Sequence, residues 1–233
     1  MAAAQAMARR VEPEWLDTLP VRDARAIRAR RDLRRVNALM GNARIVAPAL
    51  ASLPGGARIA EIGAGGGELM LALARTRLLR GAAFRVTLVD RAPCVEARTL
   101  AALHACGFET RAARADVFDW LADAPPCDAI VANLFLHHFE PEALRRMLSL
   151  AARRATLFVA CEPRRSWGAL AGARLLGLAG CNDVTRHDAV VSVRAGFRDG
   201  EIGALWPDAG EWTIEEGARG PFSHRFVARH RTP

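Results

Sequence analysis

The chain has 233 residues, 51% of them hydrophobic, enough for one compact domain with a full core and a modest helical addition at one end. Its formal net charge is +8, yet the basic residues are all Arg and spread through every segment, so the charge reads as a solvated surface and not as a patch for nucleic acid or an anionic membrane. Cys94, Cys106, Cys127, Cys161 and Cys181 lie far apart with no CxxC pair, which gives neither a metal nor a redox motif and predicts free thiols in a reducing compartment.

The opening residues MAAAQAMARR lack the apolar run of a secretory signal, and the acids Glu12, Glu14, Asp17 and Asp23 argue against a transit peptide. No stretch approaches the roughly 18 apolar residues of a membrane span. A cytoplasmic protein with no membrane partner is expected.

Residues 21 to 52 read as helix, anchored by Ile27, Val36, Leu39, Met40, Ile45 and Val46, with seven Arg between Arg22 and Arg35. This predicts an N-terminal helical cover over residues 1–52 and a main domain over 53–233. After the turn LPGG, short apolar runs alternate with helical ones. Strands are expected at Arg58 to Ile62, Phe84 to Asp90, Glu109 to Ala115, Asp128 to Asn133 and Ala155 to Glu162. Helices are expected at Leu69 to Leu79, Cys94 to Ala105 and Pro141 to Arg153. Such alternation predicts an α/β fold, a doubly wound and mostly parallel sheet with helices on both faces. Further on, Trp167 to Gly180, Asp188 to Phe197 and Gly200 to Trp206 look helical. Trp212 to Glu216 and Ser223 to Arg229 read as an antiparallel hairpin around the turn ARGPF.

The segment IAEIGAGGGEL runs a strand into Gly63, Gly65, Gly66 and Gly67 before a helix opens at Glu68. Glycines belong where the chain turns sharply and a ligand must approach the main chain. A dinucleotide motif would need a third glycine at position 68, and Glu68 at the head of a helix would repel a pyrophosphate. The Gly-Lys-Ser/Thr ending of a phosphate loop is also missing. A ligand without phosphate is expected, and an ammonium and a sulfonium beside a nucleoside suit a loop flanked by Glu61 and Glu68. Asp90 ends the second expected strand, where an acid can accept bonds from both ribose hydroxyls, or else cap a helix. Asp116 in ARADVFDWL could accept from an adenine amino group, with Val117 and Phe118 against the ring; a surface acid is the plain alternative.

The set EIGAGGG, VD at Asp90, ADVFDW and DAIVANLFLHHF resembles the successive motifs of class I S-adenosylmethionine-dependent methyltransferases, over roughly Ala57 to Glu162. The resemblance implies a seven-stranded sheet with a terminal antiparallel hairpin, and S-adenosyl-L-methionine as cofactor. It assigns Gly63, Gly65 and Gly67 to close backbone approach, Glu61 to the loop and methionine end, Asp90 to ribose, and Asp116 with Val117 to adenine. Ala64, Arg91 and Asn133 belong to the same cofactor-binding set. The runs LRRVNALMGNARIV and RHDAVVSVRAGFRDGEIGALWP are also similar to bacterial methyltransferases associated with type III polyketide synthases, implying a phenolic or polyketide-derived acceptor.

After the fourth expected strand, Asn133-Leu134-Phe135-Leu136-His137-His138-Phe139 lacks the proline pair used to grip a base or amide nitrogen. A small, partly aromatic acceptor with a hydroxyl fits better. An imidazole is matched to removing that proton. His138 is the first candidate; His137, its neighbour, would face the opposite way in an extended chain; His187 in TRHDA is the third. No set of two Asp and an Asn is evident for a divalent metal, so none is expected. Two other readings stay open: a cofactor-binding protein without catalysis, and an RNA methyltransferase using the Arg-rich surface.

Overall fold

The computed structural model describes residues 7–20, 22–92 and 94–231. Seven strands, β1 (Arg58–Ile62), β2 (Arg85–Asp90), β3 (Glu109–Arg114), β4 (Cys127–Asn133), β5 (Ala155–Pro163), β6 (Trp212–Arg219) and β7 (Ser223–His230), form one sheet in the order β3-β2-β1-β4-β5-β7-β6. β3, β2, β1, β4 and β5 pair in parallel; β7 is antiparallel to both β5 and β6. This is the expected mostly parallel sheet with its terminal hairpin.

β1, β2, β4 and β5 are apolar on both faces, as a sheet covered twice requires. Ile59, Val86, Leu88, Val131 and Val159 point into one core with Val46, Leu50, Met70, Leu73 and Phe108. Ala60, Val89, Ile130 and Phe158, each one residue out of phase, point into the other with Leu144, Met147, Leu148 and Trp206. The first core is roofed by α3 (Asn42–Leu50), α4 (Glu68–Ala74) and α5 (Ala97–Ala105), the second by α6 (Val117–Asp123) and α7 (Pro141–Ala152).

The single helix expected over 21–52 is two. Gly41 takes a left-handed φ of 67° and ends α2 (Ala24–Met40), after which α3 restarts and packs on α4, β5 and β7. α2 and the short α1 (Trp15–Thr18) lie instead on α9 (Asp183–Ala195). α9 begins five residues before the expected start at Asp188, because Asn182 accepts from the Thr185 N–H at 3.0 Å and caps it. α8 (Trp167–Leu175) stops short of Gly180, and of the helix expected at Gly200 to Trp206 only a turn at Gly203–Leu205 forms. α6 has no counterpart in the expected elements; Asp116 caps it through the Phe118 N–H at 2.8 Å. Among the described residues no helix is long and apolar enough to cross a membrane.

Strand order reverses between β1 and β4. The crevice at their carboxyl ends is where open α/β sheets place ligands.

Candidate active site

The loop between β1 and α4 is a tight backbone device. Gly63, Gly65 and Gly67 have φ of 65°, 52° and 79°. Ala64 N–H bonds the Val89 carbonyl at 3.0 Å and Gly67 N–H the Ala64 carbonyl at 2.8 Å. At Gly63 a Cβ would stand 2.1 Å from the Phe135 ring, so a side chain is excluded there by space as well as by φ. At Gly65 a Cβ would meet nothing within 4 Å, so the backbone faces open space.

Three acids border this loop. Asp90, at the end of β2, accepts from Gly65 N–H at 2.8 Å through Oδ2 and from Ala92 N–H at 2.9 Å through Oδ1. The Glu68 carboxylate folds back against Gly66. Glu61 is buried in β1, and its Oε2 has no hydrogen-bond partner. Burial first, then the charges of Glu68 and Asp90, push the Glu61 carboxyl well above the usual carboxylate range, against a bond from the Met70 backbone. A buried acid with one unpartnered oxygen and two further acids beside it fits a cationic ligand. The exposed Arg91 follows Asp90, and its carbonyl accepts from Arg114. Asp116 and Val117 open α6, with Val117 buried in the second core. Asn133 ends β4; its Oδ1 accepts from Asn42 Nδ2 at 2.9 Å, while Asn42 Oδ1 accepts from Ser223 Oγ at 3.0 Å.

Beyond Asn133 the chain turns through Leu134, held at a left-handed φ of 51° with its N–H on the Cys161 carbonyl. A non-glycine residue there costs on the order of 1–3 kcal/mol. The turn delivers Phe135, whose ring packs edge-on to Phe139 at 5.1 Å, and Phe139 in turn meets Phe118 at 5.8 Å. Then comes a 3₁₀ turn, Leu136–His138. The two imidazoles therefore do not face opposite ways as an extended chain would place them; the turn brings their centroids to 4.2 Å at 32°.

Their surroundings differ. His137 has a side chain 4% exposed, with Nδ1 2.8 Å from Glu162 Oε2 and Nε2 3.5 Å from Glu14 Oε1. Glu162, wholly buried at the end of β5, also accepts the backbone N–H groups of Phe135 and Leu136, both at 3.0 Å. Burial would lower the His137 pKa, but the close carboxylates of Glu14 and Glu162 outweigh it and raise it to about 9. His138 is 31% exposed, with Nδ1 4.0 Å from Asp17 Oδ2. Burial and then the His137 charge lower its pKa, against Glu14, Asp17 and Glu162, so it stays neutral with a lone pair. His187, on α9, bonds Asp188 Oδ1 through Nδ1 at 2.9 Å, and its ring stacks on Trp15 at 3.9 Å and 8°.

Glu14, Asp17 and Glu162 had not been singled out as functional residues. Glu162 left one sequence signal, a carboxylate closing an otherwise apolar strand; Glu14 left none, since its partner lies far along the chain. Glu14, His137 and His138 each bring a donor atom within 4.8 Å of the others, the group among the described residues that could hold a metal ion.

A mostly parallel sheet with this terminal hairpin and a glycine loop at the switch point is the α/β fold of methyltransferases. Residues 59–156 match the family model described as "Methyltransferase domain". No curated protein sequence matches it. Solved structures similar to it include an O-methyltransferase family protein from Burkholderia thailandensis, at 16% identity and a TM-score of 0.63 over 91% of this chain. The chain spans 61% of that protein's length. The plantazolicin methyltransferase BpumL in complex with SAH aligns at 10% identity and a TM-score of 0.64, covering 90% of this chain and 92% of that one. The magnesium protoporphyrin IX methyltransferase ChlM from Synechocystis PCC 6803 with bound SAH aligns at 17% identity and a TM-score of 0.55, covering 90% and 88%. At these identities the likeness is one of fold.

Proposed function

We propose that the protein methylates a small molecule, at a hydroxyl of a phenolic or polyketide-like acceptor, with S-adenosyl-L-methionine as donor. The buried acid of Glu61, with one oxygen unpartnered beside an open glycine backbone, supports a cationic donor, and two of the similar structures hold the demethylated form of that donor. Bound there, the donor supplies an electrophilic methyl group on a sulfonium. Glu61, Gly63, Ala64, Gly65 and Gly67 hold its amino-acid end, Asp90 and Arg91 its ribose, and Asp116 with Val117 its adenine. Asn133 closes the seat from β4.

The observation that carries the acceptor reading is the contrast between the two histidines. His138 is part-exposed and keeps a lone pair, so it takes the hydroxyl proton as the oxygen forms its bond to carbon. His137, held as an imidazolium to about pH 9, has no lone pair to offer at neutral pH and serves instead as a fixed neighbour. Phe135, Phe139 and Phe118 wall the adjoining space with aromatic surface and suit a planar acceptor. His187 stacks on Trp15, in the segment that brings Glu14 to His137. On this reading the protein acts in the cytoplasm without nucleic-acid or membrane partners.

The test is to incubate the enzyme with methyl-labelled donor and extracts of the producing cell, then identify the labelled product by mass spectrometry. A methylated phenol or polyketide-type compound is expected. Label in RNA, or in no product at all despite donor binding, would overturn the reading.

A further inference from the structure

Residues 9–16, ahead of α2, are tied to the domain by several contacts. Asp188 spends both carboxylate oxygens on this segment, accepting from Trp15 N–H at 2.8 Å and Leu16 N–H at 3.0 Å. Arg9 donates to the carbonyls of Ala195, His137 and Phe139, and its guanidinium lies 4.7 Å from the Phe197 ring centroid. Arg10 N–H bonds the Arg194 carbonyl at 3.1 Å. These ties span α9 and the turn after β4, and between them Glu14 is carried inward to His137. Ser192 Oγ donates to Glu14 Oε1, the oxygen that faces His137 Nε2.

We propose that this N-terminal segment is a working part of the acceptor site, with Glu14 its positioning residue: clamped between Glu14 and Glu162, the His137 ring fixes His138 for proton removal. The proposal rests on the reading of His138 as the base. Two carboxylates and an imidazole buried together cost stability against apolar residues of the same volume, so packing alone gives no reason to keep them. His137 Nε2 is buried and makes no hydrogen bond within range, yet it is aimed at Glu14. The groups facing the two rings are Glu14 and Asp17 from the N-terminal segment and Glu162 from β5, with the Arg9 guanidinium on the His137 carbonyl. The tilted contact of the two rings then transmits the position of one to the other. A chain without this segment would keep the cofactor seat and lose the register of its base.

Glu14→Gln keeps the shape and removes the charge, Glu14→Asp keeps the charge, and Asp188→Asn spoils one of the two bonds that hold the segment. Imidazole nitrogen-15 NMR on the full chain reads His137 directly, and turnover is read with resorcinol as a probe phenol. In Glu14→Gln and Asp188→Asn the His137 titration midpoint should fall by about one pH unit or more. Their kcat should drop about tenfold or more at unchanged donor affinity by calorimetry, with partial recovery in Glu14→Asp. A His137 midpoint that does not move, or one that moves while kcat stays normal, overturns the proposal. So does turnover that is lost on chelation and restored by zinc, which would make Glu14, His137 and His138 metal ligands. Where resorcinol is not turned over by the wild type, the NMR midpoint with the nitrogen-15 line width of His138 decides: a His138 ring equally ordered in Glu14→Gln overturns the proposal. Normal turnover in His138→Ala would instead remove the base reading, whatever His137 does.

Discussion

Gly65 donates its backbone N–H to Oδ2 of Asp90 at 2.8 Å, so the acid assigned to the ribose also ties the glycine loop to the end of β2. Removing it should act twice, on the ligand bonds and on the loop. Charge-assisted bonds of this kind are worth about 1.5–3 kcal/mol, so Asp90→Ala should weaken donor binding by roughly tenfold or more in calorimetry. Asp90→Asn, which keeps one acceptor oxygen for the loop, should fall between. Unchanged affinity in a folded Asp90→Ala protein would leave the residue as a loop tie alone.

On the proposed reading, Glu61 sets donor affinity against stability. Its folded-state pKa lies well above the ordinary value, so the stability it contributes is present below the usual carboxylate range and is lost as pH rises. Glu61→Gln should therefore raise the melting temperature of the donor-free protein at neutral pH and weaken binding of the cationic donor. Wild-type affinity should increase with pH, with a proton released on binding, measurable by calorimetry in buffers of different ionisation enthalpy. A Glu61→Gln protein that melts lower and binds normally would contradict both halves.

His138→Ala should lower kcat by about 10² or more while leaving donor affinity nearly unchanged, and the residual rate should climb at high pH as the acceptor ionises by itself. His187→Ala is the matched comparison. Its ring stacks on Trp15, in the segment that brings Glu14 to His137, so KM for the acceptor should rise more than kcat falls.

For His137 the linkage to pH runs in the same direction as for Glu61. Its pKa is raised to about 9 from 6.5, so the stabilisation is complete below about pH 6.5 and disappears as pH climbs through 9. Melting temperature should decline across that window, and His137→Asn should flatten the decline while lowering stability at pH 6. A wild-type profile flat between pH 6.5 and 9 would show that the carboxylates do not hold the proton.

The order of strands and helices was legible because β1, β2, β4 and β5 carry apolar residues on both faces, a pattern a helix of that length does not share. The glycine loop was legible because its backbone requirement leaves a compositional mark. The break at Gly41 was missed since one glycine inside a long helical pattern does not announce a left-handed φ, and α6 was missed because seven residues give periodicity little to work on. At the acceptor end the histidines were visible as residue types, but their relation was not. The 3₁₀ turn that brings them together depends on Leu134 at positive φ, and their carboxylates arrive from β5 and from the segment before α2. Long-range electrostatics of that kind has no local signature.

The position of β7 gives the sheet an order of assembly. It is the last of the seven strands in sequence but sits inside the sheet, between β5 and β6. Until residue 230 has left the ribosome, β5 shows an unpaired edge along Leu157 to Pro163, and β6 has no strand to join. A nascent chain can therefore fold β1 to β5 and their loop early, yet stays adhesive along one flank, where chaperone capture or pairing with another nascent chain competes with closure. Substitutions in β7 should for this reason reduce the yield of soluble protein more than they reduce the stability of the molecules that do fold.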